Sequence, residues 1–135
     1  MKTINPYINF NGKCREAMKF YHKCLGGDIE LQEVKGSPME KNWSGANDEI
    51  LHSSITINGI QVLMASDMAD QIDYVKGTDF ALTLNCSNEQ ETLTLFEKLA
   101  KGGRVLQPLT EQFWGALFGS LQDKFGVKWM LSYNR

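Results

Sequence analysis

Between residues 4 and 66 the apolar positions of this chain alternate, shift to a helical spacing, and return to alternation. The alternating stretches fall near 4–10, 28–35, 49–57 and 60–66 and predict four strands. Residues 13–24 predict a helix with Met18, Phe20, Tyr21 and Leu25 forming its apolar stripe. The same order then recurs. Strands are predicted near 79–86, 103–107, 114–121 and 127–133, with a helix at about 88–100 whose Leu93, Phe96, Leu99 and Ala100 face a core. Each half therefore reads strand, helix, strand, strand, strand.

The repeat extends to individual residues. AMKFYHKCLGGDIELQ (17 to 32) and TLFEKLAKGGRVLQP (94 to 108) both run a helix into a glycine pair and then a strand. Gly26-Gly27 and Gly102-Gly103 predict left-handed helix ends. NGIQVLMASD (58 to 67) corresponds to FGVKWMLSYN (125 to 134), and placing Gly59 on Gly126 aligns Gln61 with Lys128, Leu63 with Met130 and Ala65 with Ser132. The expected organisation is a module at about 1–67, a polar linker at about 68–78 and a second module at about 79–135. Segments 36–48 and 108–113 are rich in turn formers and predict loops.

Composition narrows the function classes. A chain of 135 residues, 42% hydrophobic, can bury a real core. With 14 basic against 16 acidic residues it lacks the basic excess of a nucleic-acid binder. No apolar run approaches the roughly 20 residues needed to span a bilayer, and the start MKTINPYINF is not a signal peptide. Cys14, Cys24 and Cys86 show no CxxC spacing, and reduced thiols in a cytoplasmic protein are the simplest reading.

Three stretches carry a family resemblance: PYINFNGKCREAMKFYHKCLGG (6 to 27), ILHSSITINGIQVLMASD (50 to 67) and WGALFGSLQDKFGVKWML (114 to 131). With the Gly102-Gly103 helix end they resemble the PhnB-like branch of the vicinal oxygen chelate superfamily, also labelled 3-demethylubiquinone-9 3-methyltransferase. That superfamily includes glyoxalases, extradiol dioxygenases, fosfomycin-modifying enzymes and bleomycin resistance proteins. The resemblance implies an α+β fold of two βαβββ modules, with curved mixed sheets around a cleft and a helix packed on each convex side. It also implies a homodimer. Under it, Val62, Met64, Trp129 and Leu131 belong to the helix-packed faces. Gln61, Leu63, Ala65, Lys128, Met130 and Ser132 belong to the cleft.

Metal-dependent relatives place His, Gln or Glu on the first and last strand of each half, where N and O ligands converge on a borderline divalent metal. The matching positions here are Pro6, Leu63, one of Asp79, Phe80 or Ala81, and Met130. Only Asp79 could ligate, so no cofactor is expected and a divalent metal is disfavoured. A non-standard site is the alternative. Alternation places His52, Ser54 and Thr56 on the cleft face, and His52 with Glu49 and Asp79 could hold a metal; a cleft-lining histidine is the plainer reading.

Other candidates follow from local chemistry. Cys14 starts the first helix, with Asn11 as expected N-cap and Arg15 adjacent, a setting that lowers a thiol pKa; a packed thiol is the preferred reading. His22 lies mid-helix and is expected to face solvent. Trp114, sharing a strand face with Ala116 and Phe118, could stack on a planar ligand, and Trp43 in the 36–48 loop could cover the cleft. Lys128 could hold an anionic group. No GxGxxG, P-loop, GxSxG or HExxH occurs, so dinucleotide, P-loop, serine-hydrolase and zincin readings have no support. The resulting expectation is a small-molecule binding protein without the usual metal, its cleft lined by His52, Ser54, Gln61, Leu63, Trp114, Lys128, Met130 and Trp43. The alternative is a metal-dependent lyase, isomerase or dioxygenase-like enzyme.

Overall fold

Asn58 and Gly59 both adopt positive φ, 51° and 79°, and so form the tight two-residue turn that right-handed strand twist favours. They join β3 (Ile50–Ile57) to β4 (Ile60–Asp67). Around this hairpin the computed structural model, which describes residues 2–68 and 74–134, builds a four-stranded sheet. Its other members are β1 (Tyr7–Phe10) and β2 (Asp28–Glu33), separated by helix α1 (Cys14–Leu25). Strand order is β1-β4-β3-β2, with β1 parallel to β4 and the remaining pairs antiparallel. A short 3₁₀ turn at Glu40–Asn42 interrupts the connection from β2 to β3.

The second half repeats the plan with β5 (Leu82–Asn85), α2 (Glu89–Ala100), β6 (Arg104–Glu111), β7 (Ala116–Gln122) and β8 (Lys128–Asn134). Its order is β5-β8-β7-β6, again with the first strand parallel to the last. The architecture is α+β, two mixed sheets each with one helix. The chain divides into two compact units, Met1–Val75 and Lys76–Arg135. Of the segment read as a linker, residues 69–73 lie outside the described residues. No helix among the described residues is long and apolar enough to cross a membrane.

The glycine pairs have a common physical cause. Gly26 and Gly102 take positive φ, 78° and 80°, where the helix ends. The second glycine of each pair then runs against a neighbouring strand. A Cβ on Gly27 would collide with the Thr56 carbonyl oxygen, and one on Gly103 with that of Gln122. His22, expected to face solvent, sets Nε2 2.9 Å from the Gly27 carbonyl oxygen in an exposed contact at this helix end.

In the first unit α1 buries Cys14, Ala17, Met18, Tyr21 and Cys24 against its sheet, where Phe10, Ile55, Leu63 and Ala65 are also buried. Lys13, not Asn11, is the N-cap, and it makes no side-chain capping bond. The helix start is held from β4 instead. Asp67 Oδ1 accepts from Cys14 N (3.0 Å) and Oδ2 from Ile50 N (2.9 Å). A buried carboxylate thus ties α1 to the beginning of β3 and satisfies two amides that would otherwise be orphaned.

In the second unit Asn88 caps α2 by accepting from Glu91 N (2.8 Å), and Glu91 Oε1 accepts from Ser87 N (2.9 Å). Thr92, Phe96 and Leu99 are the buried residues of α2. Leu93, expected in the core, is 45% exposed. Asp123 shapes the β7–β8 turn: Oδ1 accepts from Phe125 N (2.8 Å) and Val127 N (3.1 Å), and Oδ2 from Trp129 Nε1 (2.8 Å).

Several strand boundaries differ from expectation. β5 begins at Leu82 rather than 79, and Pro108 lies within β6, which runs to Glu111 through the stretch predicted as loop. β6 is an edge strand, so a proline's missing N–H costs no ladder bond on its open side. Register shifts between Val105 and Gln107 and between Gln107 and Thr110 absorb the irregularity.

Cys14 is the packed thiol of the two readings. It is fully buried with Sγ 3.4 Å from Ser53 Oγ. Burial pushes its pKa up to about 12; the Asp67 charge adds to the rise, while the Ser53 hydrogen bond and Arg15 oppose it. Arg15 itself turns to Glu33 and to the Asp48 carbonyl (3.0 Å).

Asp67→Ala strands two buried N–H groups and is expected to lower unfolding free energy by about 3 kcal/mol in urea titration, with Asp67→Asn, which keeps one acceptor, losing less. Cys14 should resist iodoacetamide at pH 8.5 in the folded protein and react once urea unfolds it, read by peptide mass. Because its folded pKa is raised above the ordinary thiol value of 9.0, the stability held by the neutral thiol is present below pH 9 and lost as pH rises toward 12.

Candidate functional site

Strand pairing decides which side chains of β4 face away from the helix. Ile57 pairs with Ile60 and Thr56 with Gln61, but Ile55 pairs with Leu63. Val62 is therefore an extra residue, a β-bulge, and side-chain parity reverses across it. On one side of the bulge Thr56 and Gln61 face away from α1. Beyond it Ser53 with Ala65 and Ile55 with Leu63 face the helix, while Ser54 and Met64 share the open side.

This corrects the expected cleft. Leu63, 2% exposed, and Ala65, fully buried, belong to the core under α1, and Met64 belongs to the open face. The repeat alignment of Leu63 with Met130 passes over the bulge without a gap, which is why it misplaces them. Gln61 stays on the open side.

The open face of the first sheet centres on His52 of β3. Tyr7 of β1 pairs with Met64 and sets its hydroxyl 3.3 Å from His52 Nδ1; the two rings lie 5.8 Å apart at 31°. Both side chains are exposed. Across the sheet Gln32 pairs with His52 and Glu30 with Ser54, and Ser54 is buried at 3% exposure. Alternation thus puts His52, Ser54 and Thr56 on the face of β3 turned away from α1. Tyr7, the neighbour of His52 on this face, is a candidate that sequence reasoning misses. The alternation of Tyr7 and Asn9 with Ile8 and Phe10 signals its face, but its neighbour His52 is 45 residues away.

Trp43 is half-buried in the loop before β3, and its indole N–H donates to Glu49 Oε1 (2.8 Å). The loop closes tightly on that carboxylate, since a Cβ on Gly45 would collide with Glu49 Oε1.

In the second sheet Trp129 and Leu131 are buried on the helix side, and Lys128, Met130 and Ser132 face away. Met130 lies between Thr83 of β5 and Ser120 of β7. Lys128 Nζ donates to the Thr78 carbonyl (3.1 Å). Trp114 does not open β7. It sits in the β6–β7 turn, 57% exposed, where Gly115 takes φ 90° and Gln112 N donates to the Ala116 carbonyl (2.8 Å). Its ring packs edge-on against Phe113 (4.9 Å, 90°) and reaches Phe118 (6.5 Å), an open-side residue paired with Ser132.

Asp79 is exposed and precedes β5 in the second unit, whereas His52 lies in the first. Among the described residues no three of His, Cys, Asp or Glu are grouped so as to hold a metal ion. The available chemistry is hydrogen bonding by an imidazole, a phenol, amides and hydroxyls in the first sheet, and a lysine, a thioether and aromatic rings in the second.

Comparison with known proteins agrees with this architecture. The chain is 38% identical to protein PA1353 from Pseudomonas aeruginosa, covering 99% of this chain and 98% of that one with a TM-score of 0.83. A putative 3-demethylubiquinone-9 3-methyltransferase, PhnB protein, from Bacillus cereus is 30% identical, with 98% and 99% covered and a TM-score of 0.78. A glyoxalase/bleomycin resistance protein/dioxygenase family enzyme from Burkholderia phytofirmans PsJN, 15% identical with 96% and 97% covered, shares the fold at a TM-score of 0.61. The family model described as 3-demethylubiquinone-9 3-methyltransferase matches residues 2–132. The chain therefore belongs to that PhnB-like family, on the glyoxalase/bleomycin resistance/dioxygenase fold.

Proposed function

We propose that the protein binds a small organic molecule on the faces of its sheets turned away from the helices, without the divalent metal of its metal-dependent relatives. The observation that carries this reading is the open face of the first sheet. It presents Tyr7, Gln32, His52 and Gln61 as exposed hydrogen-bonding groups on a rigid scaffold whose opposite face is packed core. The residue types at the ligand positions implied by the family point the same way. Pro6 and Leu63 carry no ligating atom in their side chains, Leu63 lies under α1, and Met130 offers only a thioether, a poor partner for hard or borderline cations. Trp114 with Phe118 supplies an aromatic surface in the second sheet suited to a planar ligand. The reading includes a cytoplasmic location, from the free thiols, and a homodimer, from the family resemblance.

A thermal-shift screen of aromatic and carbonyl compounds tests it. A hit should raise Tm and perturb the amide resonances of His52, Ser54 and Gln61. Trp114→Ala should weaken a planar hit by about fivefold to tenfold, the loss of one stacked aromatic contact. Elemental analysis decides the competing reading: a stoichiometric transition metal that disappears in His52→Ala would sink the metal-free proposal.

A further inference from the structure

A neutral imidazole carries one N–H, and which nitrogen holds it is set by the partner of the other. His52 Nδ1 faces the Tyr7 hydroxyl at 3.3 Å, while Nε2 makes no hydrogen bond among the described residues and the side chain is exposed. We infer that Tyr7 is a positioning residue: its hydroxyl donates to Nδ1, holds His52 as the Nε2–H tautomer, and makes the open face of the first sheet select ligands bearing an uncharged oxygen acceptor. This rests on the binding reading above and narrows its ligand class.

Tyr7 is well placed for that task. The parallel pairing of β1 with β4 fixes Tyr7 beside Met64, and Ser54, two residues beyond His52 on β3, pairs with the same methionine. The hydroxyl therefore reaches the imidazole from a neighbouring part of one hydrogen-bonded sheet, not from a loop. The ring contact at 5.8 Å and 31° restricts the imidazole further. A phenol is a better donor than acceptor, so the bare nitrogen belongs on its side and the N–H on the other.

Charge selects the kind of acceptor. The four strands of the first sheet, YINF, DIELQE, ILHSSITI and IQVLMASD, contain no lysine or arginine. Glu30 lies on the same face as Gln32 and His52. An anionic ligand group would meet Glu30 and no lysine or arginine from these strands, whereas a ketone, amide or quinone oxygen accepts the Nε2–H without that penalty.

The test separates tautomer from binding. Nitrogen-15 shifts of His52 in the free protein near pH 8 should show the Nε2–H form alone, and Tyr7→Phe should shift them toward a mixture of tautomers while the backbone amide spectrum stays folded. A wild-type Nδ1–H form, or unchanged shifts in Tyr7→Phe, overturns the proposal; the wild-type measurement decides even if the variant fails to fold. Acetophenone, benzoate and ethylbenzene then probe the face. Acetophenone should perturb His52 Nε2 and bind about fivefold more weakly to Tyr7→Phe, with ethylbenzene unaffected. Tighter binding of benzoate than acetophenone overturns the acceptor assignment. If none of the three perturbs the first sheet, the binding reading fails, while the tautomer stands or falls on its own spectrum.

Discussion

A sheet with a helix on one face assigns every strand position to core or open side by parity, and one inserted residue reverses the assignment for everything beyond it. In the first unit that residue is Val62, opposite the step from Ile55 to Thr56. Because of it a single strand, β4, gives Gln61 to the open face and then Leu63, Ala65 and Asp67 to the helix side. Asp67 depends on this placement. Only from the helix side can its carboxylate reach both Cys14 N and Ile50 N, fixing the start of α1 and of β3 together. The bulge therefore sets both the composition of the candidate site and the anchoring of the helix behind it.

The two units solve the same problem of orphaned helix-start amides by different means. The first reaches across 53 residues to a β4 carboxylate, the second uses the local Asn88 and Glu91 pair. The second unit places its own buried carboxylate, Asp123, in a hairpin, where it orders two turn amides and the Trp129 indole. In both cases a buried acid accepts hydrogen bonds from several N–H donors. These acids serve the scaffold, and the open faces draw their chemistry from other residues.

That division explains what the sequence reveals. Alternation and helical spacing are periodic signals, so the order of elements, the Gly-Gly helix ends and the βαβββ repeat are legible without coordinates. A bulge is a single aperiodic residue with no compositional mark, and Val62 looks like any strand valine. Pro108 misleads in the opposite direction, because proline breaks central strands but is tolerated at the edge position that β6 occupies. Trp114 follows from the same error, since a shorter β6 leaves room for a longer β7. The contact between Tyr7 and His52 depends on β1 pairing with β4, a long-range choice that no local pattern encodes.

The repeat also separates scaffold positions from open-face positions. Positions that both halves keep are scaffold: the glycine that lets a helix exit run against a neighbouring strand, and the parallel pairing of first strand with last. The open faces do not match. The first sheet has no lysine or arginine on its strands and is rich in hydrogen-bonding groups, while the second carries Lys128, Met130 and Phe118. The open faces lie outside the packing against the helices, so the fold leaves their residue types free to differ between the halves, whereas the helix-packed positions are held mainly to apolar side chains in both.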